Sequence, residues 1–202
     1  MQPERVHLEV AQTAARLIVE DGLDYASARR KAMQEHGSGG RRLRDAPSNE
    51  AIEDEVRTHI AIFCADTQPS ELRALREVAM RWMLRLAAFR PHVGGAVWRG
   101  TATRQSVVRL DLYCDDMKAP EIALLNKGVD YEVVSEPLGR DEHAVTLVLG
   151  EHDRALDDWV TLHLNILDTD DLRGALKPDA RGHSWRGDAA GLRRLLEQED
   201  AA

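Results

Sequence analysis

Ser106-Val107-Val108-Arg109-Leu110-Asp111-Leu112-Tyr113 alternates apolar and mixed residues, and the reading of this stretch decides the fold. Side chains on a strand alternate between faces, so Val108, Leu110 and Leu112 project together while Val107, Arg109, Asp111 and Tyr113 project the other way. The spacing predicts a strand with one buried face. Everything upstream follows a different period.

Val6, Val10, Ala14, Leu17 and Ile18 recur at helical spacing, with Pro3 in the first turn and Gly22 at the end. A shorter helix is expected over Tyr25–His36, followed by Gly37–Pro47, whose glycines read as a flexible linker. Ser48 is placed to cap a third helix with Ile52, Val56, Ile60 and Phe63 on its buried face. Pro69 opens a fourth, striped by Leu72, Leu75, Val78, Trp82, Leu86 and Phe89 and stopped by Pro91. From Ala96 onward the pattern changes to period two, with Pro120–Lys127 read as a helix and Val129–Ser135 as a strand. His143–Leu149 and Trp159–Leu167 read as an antiparallel hairpin across the turn-rich Gly150–Asp158. A last helix starting at Asp188 buries Leu192, Leu195 and Leu196. The expected fold is α+β, with an N-terminal helical region over residues 1–90, containing the linker at about 37–47, packed on a small mixed β-sheet with a C-terminal helix over 91–202.

A chain of 202 residues is long enough for a sizeable core. A net charge of −8 and a pI near 5.5 argue against non-specific nucleic-acid binding, which needs a basic surface. No apolar run reaches the roughly 18 residues of a membrane span, and the N-terminus lacks a signal-peptide pattern, so the sequence reads as cytoplasmic. Cys64 and Cys114 make neither a disulfide framework nor a CxxC knuckle and read as reduced thiols.

Two carboxylates at i and i+2 of a strand can share a divalent ion, which is how magnesium is commonly held against substrate phosphates. Here Arg109 stands two residues before Asp111, and a guanidinium carries no acceptor atom. If the pair is framed directly after Ser106, its positions are Val107 and Arg109, and neither is a carboxylate.

The order of elements over Ala96–Val134 resembles the minimal nucleotidyltransferases. Those proteins show a hydrophobic strand, Gly-Ser, an Arg-Gly turn, Ser-Asp-hydrophobic-Asp, and after one helix a strand with a third carboxylate. Val97-Trp98-Arg99-Gly100-Thr101 corresponds to the first strand and turn, Ser106 to the serine, and Asp111 to at most one aspartate. Asp130 or Glu132, in Val129-Asp130-Tyr131-Glu132-Val133, stands for the third carboxylate. The resemblance implies a nucleotidyltransferase-like sheet with a degenerate catalytic motif, ligand contacts at Arg99, Gly100, Thr101, Arg104 and Ser106, and Mg2+ as cofactor if Asp111, Asp130 and Glu132 converge. The whole chain is also similar to a group of uncharacterised proteobacterial proteins, some named as UDP-N-acetylmuramate–alanine ligases, but it carries no Gly-x-x-x-x-Gly-Lys-Ser/Thr phosphate loop.

Other motifs lead away from chemistry. The eight histidines show no HxH or HExxH spacing. Asp168-Thr169-Asp170-Asp171 lacks the glycine and distal glutamate of a calcium loop and reads as a turn, and Gly182-His183-Ser184-Trp185 is not a nucleophile elbow. Thr161, His163 and Asn165 make one polar face of their strand, either lining a pocket or facing solvent. Two functional readings stand: a catalytically degenerate nucleotidyltransferase-like protein that binds a nucleotide or phosphorylated ligand, and a non-catalytic interaction or homodimeric scaffold protein.

Overall fold

The structure, a computed structural model, describes residues 3–37, 46–137, 143–178 and 181–201. Most of the expected linker at 37–47 lies outside the described residues. The chain divides into two compact units, one of residues up to Pro69 with Thr101–Ser106, the other of Ser70–Gly100 with Val107 onward.

The first unit holds α1 (Pro3–Asp21), α2 (Tyr25–His36) and α3 (Asn49–Phe63). Each boundary has a local cause. Gly22 takes φ +67, and a Cβ there would stand 2.5 Å from the Gln105 carbonyl oxygen, so only glycine fits this helix end. The Asp24 carboxylate accepts from the amides of Ala26 and Ser27, and the Ser48 hydroxyl from that of Ala51, satisfying donors that have no intrahelical partner. The core is the expected stripe of α1 joined by Ala28, Ala32, Ile52, Val56 and Ile60. Phe63 departs from that stripe. As the last residue of α3 it is 70% exposed and packs on the His59 ring at 4.6 Å.

In the second unit α4 (Gln68–Arg85, counted from Ser70) leads through a 3-10 turn to β1 (His92–Gly94), α5 (Gly95–Arg99), β2 (Val108–Tyr113) and α6 (Ala119–Asn126). Then come β3 (Glu132–Pro137), β4 (His143–Asp153), β5 (Asp158–Leu167), β6 (Arg186–Gly187) and α7 (Ala189–Asp200), capped by Asp188. Among the described residues the architecture is α+β, with a six-stranded mixed sheet in the order β3-β4-β5-β2-β1-β6. The β2–β5 pair is parallel and the other pairs are antiparallel. Val108, Leu110, Leu112, Leu147, Leu162 and Leu164 are fully buried on one face.

The expected hairpin forms, but β4 runs on to Asp153 and leaves a shorter turn. The first strand is corrected. Residues 95–99 are helical, because Gly95 at φ +63 breaks the extended line after Gly94 and Gly100 closes the helix in a left-handed cap that donates to the Ala96 carbonyl. The third strand begins at Glu132 rather than Val129, so Asp130 precedes it. Asp168 caps a 3-10 turn through the Asp170 amide, as its motif suggested.

Candidate functional site

The polar face of the sheet is set by strand register. Residues paired across a sheet share a face, so Asp111 lies between His92 of β1 and Asn165 of β5, and Arg109 between Gly94 and His163. One row further, Asn165 pairs with Thr146 of β4 and His163 with Val148.

Each Asp111 carboxylate oxygen has a donor. Its Oδ2 lies 2.6 Å from Nη1 of Arg186, and its Oδ1 accepts from Nδ2 of Asn165 at 2.8 Å. Asn165 is in turn oriented by the Thr146 hydroxyl, which donates to Oδ1 at 3.0 Å. Arg186 also donates to the Tyr113 hydroxyl at 2.8 Å. Burial works to lower the Arg186 pKa, but the Asp111 carboxylate and the Tyr113 hydroxyl outweigh it and hold the guanidinium above its ordinary value. Burial pushes the Tyr113 phenol up, with Asp111 and Asp171 adding to burial and Arg186 opposing it. The His92 ring meets Tyr113 edge to face at 5.3 Å and contacts the Arg90 carbonyl oxygen through Nδ1 at 2.9 Å. Five side chains from four strands thus form one chain: Thr146, Asn165, Asp111, Arg186 and Tyr113.

Arg109 stands apart from it. Its guanidinium has no hydrogen-bond or ion-pair partner among the described residues, although it shares a strand face with Asp111. Its neighbours toward β1 are Gly94 and Gly95, and a Cβ on Gly95 would lie 3.5 Å from the Arg109 Cδ. The aliphatic stem of Arg109 therefore lies against the bare backbone of Gly95.

The expected magnesium ligands do not converge. Asp111 is on β2, whereas β3 is the far edge of the sheet with β5 and β4 between them, so Glu132 is three strand spacings away, roughly 14 Å. Asp130 precedes β3 and is exposed. The strands that flank β2 offer His92, Gly94, His163 and Asn165 in register with Arg109 and Asp111, and none is a carboxylate. Among the described residues no group of three or more His, Cys, Asp or Glu side chains is placed to hold a metal ion. The donor set does not fit Mg2+.

The expected ligand-binding residues divide between the two compact units. Arg99 and Gly100 belong to one compact unit, and Thr101, Arg104 and Ser106 to the other. The Arg99 guanidinium covers the Trp185 ring at 4.5 Å. Gly100 is a helix C-cap, where carbonyl groups and the negative end of the peptide dipoles collect, which is the wrong polarity for phosphate. Thr101 is 2% exposed, Arg104 is exposed, and the Ser106 hydroxyl accepts from the Thr103 amide at 3.0 Å within its own turn.

Sequence reasoning had marked Asp111, Arg109, His163 and Asn165 but missed Arg186. It lies 75 residues beyond Asp111 on a strand of two residues, too short to show any period. Comparison of the chain with known protein families and with curated proteins finds no match to either.

Proposed function

We propose that this is a nucleotidyltransferase-like protein without metal-dependent transfer, which holds a nucleotide or other phosphorylated ligand on the polar face of its sheet. The observation that carries the reading is the contrast on β2, where the only carboxylate is already neutralised by Arg186 and the neighbouring Arg109 has no partner among the described residues. A guanidinium offers phosphate a planar fork of donors. Metal would add nothing at such a site: a cation next to Arg109 is opposed by Coulomb repulsion, and Asp111 has no free oxygen to offset it. Calorimetric titration with ATP, once in excess magnesium and once in chelator, tests the reading. Binding of similar strength in both is expected. Absence of heat at millimolar ATP, or heat that requires magnesium, would overturn it.

A second reading has its own observation. β3 is an edge strand with Val133 52% and Val134 41% exposed, and unprotected edges pair readily with another strand. On this reading two copies join edge to edge as a non-catalytic scaffold. Sedimentation equilibrium decides it, a strictly monomeric chain at high micromolar concentration excluding the homodimer.

A further inference from the structure

Beyond Val148, β4 has a strand neighbour on one side only. Its pairing with β3 ends at Glu132 opposite Val148, while its pairing with β5 continues to Asp153 opposite Asp158. A cavity of about 580 Å3 opens there, lined by Trp82 and Arg85 of α4, by Asp130, and by Gly150, His152 and Trp159 of the hairpin. That volume is in the range of small-molecule sites.

Trp159 is 67% exposed, yet its ring is held in place. It lies over Gly150, where a Cβ would stand 3.2 Å from Cε3, and it meets His152 edge to face at 5.8 Å. An indole positioned by a glycine and left open to solvent is an aromatic platform. The second indole is not available as an opposing wall, because Trp82 is 2% exposed and its ring is covered by the Arg85 guanidinium at 4.2 Å. Most charges at the cavity are already spent. Arg81 binds Glu151 and Asp153, and Glu151 also accepts from the Trp82 indole nitrogen. The exposed Asp130 carboxylate, which has no partner among the described residues, and the Arg85 guanidinium keep hydrogen-bonding capacity. One anion and one cation favour an uncharged ligand with both donors and acceptors.

We propose that this cavity binds a neutral sugar ring. A pyranose has an apolar C–H face that lies on a single indole, and hydroxyls at its rim that donate to a carboxylate and accept from a guanidinium. A nucleobase gains most when sandwiched, and here only one aromatic face is open. Phosphate gains little, because the Asp130 and Glu151 carboxylates offset the Arg81 and Arg85 guanidiniums at the cavity. The site is separate from Arg109, since Trp159 is four residues along β5 from His163, about 13 Å.

Calorimetric titration of the full chain with glucose, galactose, N-acetylglucosamine and, separately, adenosine tests the assignment. At least one of the three sugars saturates in the millimolar range, and its affinity falls at least about tenfold in both Trp159→Ala and Asp130→Asn. Both side chains are exposed, so neither change opens a core cavity, and ATP binding by both variants stays unchanged. No saturation with any of the three at tens of millimolar, sugar binding that survives Trp159→Ala, or binding of adenosine alone would overturn the proposal.

Discussion

On one face of the sheet Val108, Leu110, Leu112, Leu162 and Leu164 are completely buried, and on the other Arg109, Asp111, Tyr113, His163 and Asn165 stand on the same two strands one residue out of step. The apolar face is held by burial, which is non-directional and tolerates substitutions that keep volume. The polar face is held by directed pairs, where each donor needs its own acceptor and one missing partner leaves a charge stranded. The comparison teaches where function can reside. A face whose groups are all satisfied has nothing left for a ligand, and on the polar face Arg109 is a cation without a partner among the described residues.

The largest effect should come from the apolar face. Leu164→Ala removes a fully buried side chain in the centre of the sheet and should cost about 2–5 kcal/mol in denaturant unfolding. A loss below about 1 kcal/mol would mean that this face is not the core.

Arg186→Met is next. It leaves the Asp111 carboxylate, 13% exposed, with only Asn165 as donor, and stability should fall by about 1–3 kcal/mol. The Asp111→Leu, Arg186→Met double variant should lose less than the sum of the single changes, because neither residue then strands the other.

The rule separating the faces breaks at the end of β4, where the apolar row continues into Glu151 and Asp153. Burial of Asp153 works to raise its pKa, but Arg81 and the amides of Leu156 and Ala155 outweigh burial and hold the carboxyl below its ordinary value. Its folded pKa is therefore below the unfolded one, near 3.9. The stability it contributes is complete above that unfolded value and is lost as pH falls through the folded one. Asp153→Asn should flatten the acid side of the stability profile by a smaller amount than the Arg186 change. An identical acid slope in the variant would show that Asp153 is not held by Arg81.

The smallest effect on stability belongs to Arg109→Met, within about 0.5 kcal/mol, because no partner among the described residues is lost. Thermal unfolding measures it.

The local elements were readable because their causes are local. Ser48 caps the helix it precedes, and period two identified β2 and the β4–β5 hairpin. Strand order was not readable, because it depends on which strands pair across the chain. β5 rather than β3 lies beside β2, and that single fact separates Glu132 from Asp111 and brings His163 and Asn165 to Arg109 and Asp111. The Gly100 turn misled for a related reason. Gly95 takes a positive φ, which converts an apolar run into a short helix and turns an expected phosphate loop into a helix C-terminus.

On the proposed function Arg109, which has no partner among the described residues, recognises a phosphorylated ligand without a metal. Calorimetric titration of the Arg109→Met variant and the unaltered chain with ATP in the presence of chelator tests it most directly. Saturable binding to the unaltered chain is expected, with affinity at least about tenfold weaker in the variant at an unchanged thermal midpoint. Equal affinity in the two proteins would contradict it.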